Sequence, residues 1–178
     1  MRIRLLMRAS IIPRDDQSSP RKARQHEAEV MNVPQHREVA AALVIDQRGR
    51  FLLQQRDDVP GILFPGMIGL FGGHREGNET FLECIVREVH EELSFFIPPE
   101  RFEHLASYRG VDPYSAGGTL WRELYVTSDV PVEPLRVTEG SLLIAEMEDL
   151  PALVPRLTPS ADAAIHAFLT RSGRNLKE

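Results

Sequence analysis

Residues 73–95 read GHREGNETFLECIVREVHEELSF, and three of them, Glu88, Glu91 and Glu92, are carboxylates crowded near the end of a predicted helix. Residues three and four apart on a helix are neighbours, and like charges there destabilise it by about 0.2–0.5 kcal/mol per pair. A helix that keeps such a cluster therefore needs something to offset the repulsion.

The segment from Phe81 to Leu93 carries helical signals at its start and along one side. Thr80 and Glu83 form the pattern of a capping box, in which two side chains satisfy each other's free backbone N–H groups. Apolar residues at helical spacing predict one buried stripe, formed by Leu82, Ile85, Val86, Val89 and Leu93. At about 100° per residue, the three glutamates fall in an arc centred roughly 120° from that stripe. We therefore expect them to border the core without entering it.

The sequence around this helix predicts several strands and one more helix. Apolar runs bounded by turn residues predict strands at 38–46, 51–55, 67–71, 104–109, 120–126 and 142–145, the first two as a hairpin. A last helix is predicted from a cap at Ser160 to a stop at Gly173. Strands before, between and after two helices indicate a mixed α/β domain whose sheet is covered by helices.

The composition fits one folded domain of modest charge. The 178 residues are 42% hydrophobic and 26% charged, with a formal net charge of −5, which is typical of a single soluble domain. A mildly acidic chain argues against nucleic-acid binding, which needs a basic face. No apolar run approaches the roughly 18 residues of a membrane span, so no membrane partner is expected. The single cysteine, Cys84, excludes an intramolecular disulfide and fits a cytoplasmic location.

The first 35 residues differ from the rest in pattern. They are polar and proline-bearing after a start, MRIRLLMRASII, whose apolar stretches are interrupted by arginines. That interruption argues against a secretory signal. We predict an N-terminal arm or extension over 1–35, the folded domain over 36–172 and a short C-terminal tail over 173–178.

The loop and helix of residues 73–95 resemble the Nudix box, whose family pattern is G-x5-E-x7-R-E-U-x-E-E-x-G-U, with U a bulky apolar residue. Every fixed position matches except one, because Ser94 stands where the family has its second glycine. Glycine takes positive φ there without strain, so a serine would cost about 1 kcal/mol. The resemblance implies a Nudix-type α/β/α sandwich, with a mixed β-sheet flanked by helices.

The same resemblance implies a metal site. A divalent cation, Mg²⁺ or Mn²⁺, would relieve the repulsion among the glutamates, and Mg²⁺ prefers oxygen ligands from carboxylates and substrate phosphates. Glu139, in the sequence TEG, best matches a later glutamate that completes the metal shell or acts as the base in the family; Glu146 and Glu148 lie close behind it. The implied ligands are Gly73, through its backbone carbonyl, and Glu88, Glu91, Glu92 and Glu139.

Four residues are implied as catalytic: Glu91, Glu92, Arg87 and Glu139. Each of the glutamates is a candidate for the base that accepts a proton from the attacking water. Arg87 is placed to orient carboxylates through charge-assisted hydrogen bonds.

Three residues are candidates for substrate binding: Arg56, Glu79 and Phe71. Arg56 directly follows the strand at 51–55, and a guanidinium fork suits phosphate oxygens. Glu79 is the first glutamate of the box. Phe71 stands where many family members have proline before Gly-Gly, so we expect it to shape the pocket wall. Three neighbours are expected to be structural or surface residues, namely Cys84, His74 and His90.

The function that the resemblance implies is a metal-dependent hydrolase. It would cleave a diphosphate linkage in a nucleoside diphosphate linked to another moiety, by water attack on phosphorus, and its partner would be that small molecule. The alternative is a catalytically inactive nucleotide-binding or regulatory module, which commonly loses one of the paired glutamates kept here. An isomerase of the same fold needs a pocket cysteine outside the helix, whereas Cys84 lies within it. The nucleoside, the number of metal ions and the formation of a homodimer are left open.

Overall fold

The computed structural model describes residues 35–174, so all but the last residue of the predicted arm, and most of the predicted tail, lie outside it. Within this range the chain forms one mixed sheet and three α-helices, none long and apolar enough to cross a membrane. The strands are β1 (His36–Asp46), β2 (Phe51–Gln55), β3 (Ile68–Gly69), β4 (Phe71–His74), β5 (Glu103–Val111), β6 (Thr119–Val130) and β7 (Ser141–Ala145). The helices are α1 (Phe81–Leu93), α2 (Leu150–Leu153) and α3 (Pro159–Arg171).

The central strand is β1. One of its edges pairs in parallel with β6 along almost its whole length. The other edge pairs antiparallel with β4 over residues 39–42 and with β2 at residues 44–45. Both β3 and β7 pair with β2, while β5 pairs with β6. On this edge of β1 the sheet therefore splits into two branches, one through β4 and one through β2. The candidate active site lies where these two strands separate.

Each face of the sheet has its own core, because successive side chains of a strand point to opposite faces. One face packs residues of β1 and β2 against α3, including Leu43, Phe51, Leu53, Ile165 and Leu169. The other face packs against α1 and includes Val44, Leu52, Phe71, Ile85 and Val89. The predicted mixed sheet flanked by helices is confirmed.

Helix α1 forms over the predicted residues with its predicted cap. The Thr80 hydroxyl accepts from the N–H of Glu83 at 3.1 Å, and the Glu83 carboxylate accepts from the N–H of Thr80 at 2.7 Å. Burial raises the pKa of Cys84 to about 12, so its thiol stays protonated.

The expectation that all three glutamates stay outside the core is wrong for Glu92. The buried residues of the helix are Cys84, Ile85, Val89, Glu92 and Leu93.

The predicted cap of the last helix is wrong. Thr158, rather than Ser160, caps α3, since its hydroxyl accepts from the N–H of Ala161 at 3.3 Å. Pro159 then takes the first helical position, where its missing N–H would have no partner in any case. The predicted stop at Gly173 lies just beyond the helix with φ of 67°.

The predicted strand at 67–71 is divided into two. Leu70 separates β3 from β4, and β4 continues to His74 because residues 71–74 pair with β1. Glycines weaken the strand signal in sequence, so the pairing of Gly72 and Gly73 was missed. Strands β5 and β6 also run past their predicted ends.

Ser94 takes the left-handed conformation, with φ of 50° and ψ of 32°. We expect Ser94→Gly to raise the free energy of unfolding by about 0.5–1 kcal/mol, because glycine adopts this conformation without a Cβ clash. Ser94→Ala keeps the Cβ and should give no gain. Denaturant unfolding of both variants measures the difference. Equal free energies of unfolding for Ser94→Gly and Ser94→Ala would contradict backbone strain at Ser94.

Candidate active site

Arg87 ties the loop before α1 to the helix. Its Nε and one terminal nitrogen donate to the two carboxylate oxygens of Glu79 at 3.1 and 2.7 Å, and that same nitrogen donates to the carbonyl of His74 at 3.0 Å. The other terminal nitrogen donates to Glu88 at 2.9 Å and to Glu91 at 3.2 Å. The hydrogen bonds from Arg87 lower the pKa of Glu79 to about 2. One guanidinium therefore fixes both the loop and two of the clustered carboxylates.

Glu88 lies against the backbone of Gly73. A Cβ at position 73 would come within 2.7 Å of a Glu88 carboxylate oxygen. Only glycine therefore leaves room for this carboxylate beside the strand end. Burial raises the pKa of Glu88, although the hydrogen bond from Arg87 opposes the shift.

Glu92 is the most buried of the clustered carboxylates, with 8% of its surface exposed. One oxygen accepts from the backbone N–H of Gly72 at 2.6 Å, and the other accepts from the Gln54 amide at 3.2 Å. Burial raises the pKa of Glu92 to about 7, despite these two hydrogen bonds. Glu88 and Glu139 add to the shift through charge repulsion. The carboxylate is thus held rigidly and changes charge near neutral pH.

A cavity of about 430 Å³ brings part of the predicted set together. The predicted residues in its lining are Arg56, Gly73, Glu88, Glu92 and Glu139. Glu91 is not among the lining residues, and its side chain is 58% exposed. The chain therefore gathers three of the four predicted carboxylates at one opening.

Glu139 reaches this opening from the turn before β7. Its backbone carbonyl accepts from the Gln54 amide at 3.1 Å. Gly140, with φ of 67°, packs so closely that a Cβ there would collide with the carbonyl oxygen of Gln55. The turn therefore lies directly on β2. A second cavity of about 330 Å³ lies beside it and shares Arg56 and Glu139 with the first.

Arg56 stands between the two cavities. Its Nε donates to the carbonyl of Leu63 at 3.0 Å, and one terminal nitrogen donates to Gln54 at 3.4 Å. Within residues 35–174 it forms no salt bridge, whereas Arg87 pairs with three carboxylates. Its guanidinium therefore keeps donors for a phosphate group.

Two predicted substrate-binding residues lie elsewhere. Phe71 is fully buried in the core against α1, so its ring does not form the pocket wall. The Glu79 carboxylate is occupied by Arg87 and by the N–H of Glu76 at 2.7 Å. Glu79 is therefore a positioning residue for Arg87.

Gln54 was not predicted from sequence as part of the site. This side chain is 2% exposed and its amide bridges Glu92 and the carbonyl of Glu139. A polar residue inside the apolar strand FLLQQ indicates a buried side chain with hydrogen-bond partners, because buried polar side chains need such partners. Gln54 joins the glutamate of α1 to the turn before β7.

Arg37, on β1, is a second residue that was not predicted from sequence. Arg37 donates to the buried Asp112 at 3.0 Å and to the Nε2 of His74 at 3.4 Å. Both Arg37 and His74 line the larger cavity. Burial, together with the charge of Arg37, lowers the pKa of His74. His74 is exposed, as expected of a surface residue, and it lies at the edge of the cavity with its ring neutral at pH 7.

The donor set can be compared with what a cation requires. In the part of the chain that the structure describes, no group of three or more His, Cys, Asp or Glu side chains is close enough to hold a metal ion. Mg²⁺, however, is usually held by one or two carboxylates, several waters and substrate phosphates. Glu88 and Glu92 face one cavity and supply only oxygen donors, so they fit Mg²⁺ or Mn²⁺.

Glu79→Gln should lower the free energy of unfolding at pH 7 by about 2 kcal/mol. The pKa of Glu79 lies below its ordinary value, at about 2, so the pair stabilises the protein above pH 4.5 and is lost as the pH falls towards 2. The difference between wild type and variant should therefore shrink over that range. Urea unfolding at a series of pH values measures it, and a constant difference down to pH 2 would contradict the assignment.

A mixed sheet between helices, with a loop and helix that present glutamates to a cavity, defines a Nudix-type α/β protein. A profile described as the NUDIX domain matches residues 34–168. The chain belongs to the Nudix hydrolase family, whose members are typically pyrophosphohydrolases.

Solved structures of known proteins share this fold. A MutT Nudix hydrolase from Burkholderia pseudomallei is 27% identical, with a TM-score of 0.58, over 74% of this chain and 96% of that one. The ORF135 protein of E. coli is 23% identical, with a TM-score of 0.58, over 79% and 94%. The Nudix domain of Shewanella oneidensis NrtR, solved with ADP ribose, is 16% identical, with a TM-score of 0.62, over 88% and 94%. No match was found among curated proteins.

Proposed function

We propose that the protein is a divalent-cation-dependent hydrolase that cleaves the diphosphate linkage of a nucleoside diphosphate joined to another group. The observation that carries this proposal is the shared cavity of Glu88, Glu92 and Glu139 with Arg56. Carboxylates alone would repel a diphosphate, and a lone arginine would not offset three of them. A cation between the carboxylates and the phosphates resolves the conflict of charge.

Glu88 and Glu92 would hold the cation, with the carbonyl of Gly73 as a further oxygen donor. A bound cation would neutralise phosphate charge and lower the pKa of an attacking water. Glu91 would join these ligands only by turning away from Arg87, to which it now bonds. Arg87 keeps Glu88 in place, and Gln54 keeps Glu92 in place.

Glu139 is the proposed proton acceptor. Within residues 35–174 its carboxylate accepts no hydrogen bond, because the contact with Gln54 uses its backbone carbonyl. It is exposed at the rim of both cavities, where an attacking water can reach it. Arg56, on the same rim, would bind a phosphate oxygen and stabilise the charge that develops during attack.

A screen of nucleoside diphosphate derivatives tests the proposal. The protein is incubated with Mg²⁺ or Mn²⁺ in isotopically labelled water, and the products are identified by mass spectrometry. We expect one monophosphate product to carry the label, with no turnover after chelation of the metal. Absence of hydrolysis with every compound and both metals would refute the proposed function. Hydrolysis that survives chelation would refute its metal dependence.

A further inference from the structure

The smaller cavity, of about 330 Å³, is lined mostly by residues that have no role in the proposed function, among them Asp57, Val59, Ile62 and Thr138. It shares Arg56 and Glu139 with the larger cavity, so a diphosphate bound at Arg56 has space on both sides. Its volume lies at the lower end of the range for small-molecule sites. A substrate with a bulky group at only one end of its phosphates would leave one cavity empty.

The lining of the smaller cavity combines apolar and acidic side chains with one basic side chain, Arg56, at its boundary with the larger cavity. Val59 and Ile62 are 46% and 37% exposed, and both face this cavity. Single exposed apolar side chains are ordinary on protein surfaces, but two on one cavity wall offer an apolar contact face. Asp57, Thr138 and Glu139 complete a polar side.

The loop that carries Val59 and Ile62 is fixed at its base. The N–H of Gly66 donates to the carbonyl of Asp57 at 3.0 Å, which closes the loop on itself. The Gln55 amide donates to the carbonyl of Gly66 at 2.8 Å. Arg56 donates to the carbonyl of Leu63 within the loop. The cavity wall is therefore built before any ligand binds, which lowers the cost of binding.

The chemistry of the lining selects one kind of ligand. With Arg56 engaged by the diphosphate, the carboxylates of Asp57 and Glu139 face the rest of the cavity. They repel a terminal phosphate, whereas they accept hydrogen bonds from hydroxyl groups. Val59 and Ile62 can pack on the C–H face of a ring. A purely hydrocarbon ligand would leave the two carboxylates without partners. An uncharged ring with hydroxyl groups satisfies both sides of the cavity.

We propose that the smaller cavity binds the sugar of a nucleoside diphosphate sugar, and that the protein prefers such substrates to nucleoside triphosphates. The inference rests on the proposed function. Water attacks one phosphorus while Glu139 takes up one of its protons, and the bond from that phosphorus to the bridging oxygen breaks. The bridging oxygen leaves with the other phosphate, so the products are a nucleoside monophosphate and a sugar phosphate, and Glu139 then releases its proton to solvent. The nucleoside lies in the larger cavity, where the ring of Phe64 stands edge-on to Tyr114 at 4.9 Å.

The test compares matched compounds with Mg²⁺: ADP-glucose with ATP, UDP-glucose with UTP, and GDP-mannose with GTP. For the preferred nucleoside, kcat/KM for the sugar derivative should exceed that for the triphosphate by about tenfold or more. Asp57→Asn should narrow this ratio, because it removes a charge that repels the terminal phosphate. Equal kcat/KM for a sugar derivative and its triphosphate would overturn the inference while leaving the proposed function in place.

A matched pair of variants locates the sugar. Ile62→Ser should raise KM for the sugar derivative about fivefold and leave the triphosphate unchanged. Ile144→Ser is the control, since Ile144 is equally exposed at 39% but lies on β7 outside both cavity linings. Equal KM values in the two variants would overturn the inference. If no diphosphate is hydrolysed, the proposed function fails, and calorimetry then tests the inference by itself. It compares the Kd of ADP-glucose, UDP-glucose and GDP-mannose with the Kd of ADP, UDP and GDP. The inference is overturned if no sugar derivative binds more tightly than its nucleoside diphosphate.

Discussion

Glu92→Gln is expected to lower hydrolysis by about 10²–10⁴-fold and at the same time to stabilise the metal-free protein at pH 8. The gain in free energy of unfolding should be about 2 kcal/mol, which raises Tm by about 4–8 °C. Thermal unfolding in the presence of a chelator, at pH 5 and pH 8, measures the second effect. The two opposite changes would identify Glu92 as a residue kept for function at a cost to stability.

The physical reason is the burial of an ionised group. Burial raises the pKa of Glu92 to about 7 from an ordinary value of 4.5, so the folded state favours the protonated form. The cost is absent below pH 4.5, grows as the pH rises, and is complete above about 7. Glutamine stays neutral throughout, so its advantage should be small at pH 5 and full at pH 8. Its amide oxygen can still accept from Gly72, while the hydrogen bond with Gln54 is lost, since turning over the Gln54 amide would set its oxygen against the carbonyl of Glu139.

Glu100→Gln is the matched control, because Glu100 is exposed and lies outside both cavity linings. It should change neither hydrolysis nor Tm. A lower Tm of Glu92→Gln at pH 8 without metal would show that the hydrogen bonds of the carboxylate outweigh its burial. Unchanged hydrolysis would remove Glu92 from the proposed site.

The sequence was most informative where local rules and a long motif coincide. The capping box of Thr80 and Glu83 and the apolar period predicted α1 to the residue, because helix formation depends on neighbours in sequence. The same period misjudged Glu92, since a helical wheel treats glutamate as a surface residue. Its burial depends on the N–H of Gly72 and the amide of Gln54, which arrive from β-strands remote in sequence.

The cavity itself required tertiary information. Phe71 and Arg56 both lie near the glycine-rich segment, yet one points into the core and the other stands between two cavities. Strand pairing decides which face each side chain takes, and a shift of one residue would reverse it. The glycines misled the strand prediction at 67–71, so Phe71 was wrongly expected in the pocket wall. Arg56 was expected at the pocket only because it directly follows the strand at 51–55. Glu139 was found only through resemblance, because nothing local marks a turn glutamate as part of a distant site.

Gly72→Ala is expected to destabilise the protein by more than about 3 kcal/mol. Gly72 has φ of 139°, and a Cβ there would collide with the carbonyl oxygen of Ala40 and come within 2.6 Å of the Ala41 Cα. Both obstacles are backbone atoms of β1, the central strand, so they cannot move aside cheaply. Urea unfolding measures the loss, and low yield of folded protein would be its extreme form.

Gly73→Ala should behave differently, although it changes the neighbouring residue in the same way. The obstacle at position 73 is the carboxylate of Glu88, a side chain that can rotate away. We therefore expect a cost of about 1–2 kcal/mol in stability but a loss of at least about tenfold in hydrolysis, because the displaced carboxylate is a proposed metal ligand.

Gly77→Ala provides the control for backbone strain alone, since Gly77 has φ of 51° and no heavy atom within 4 Å of an added Cβ. It should cost about 1 kcal/mol and leave hydrolysis intact. Equal stability of Gly72→Ala and Gly77→Ala would contradict the close approach to β1, and wild-type activity in Gly73→Ala would contradict the role of Glu88.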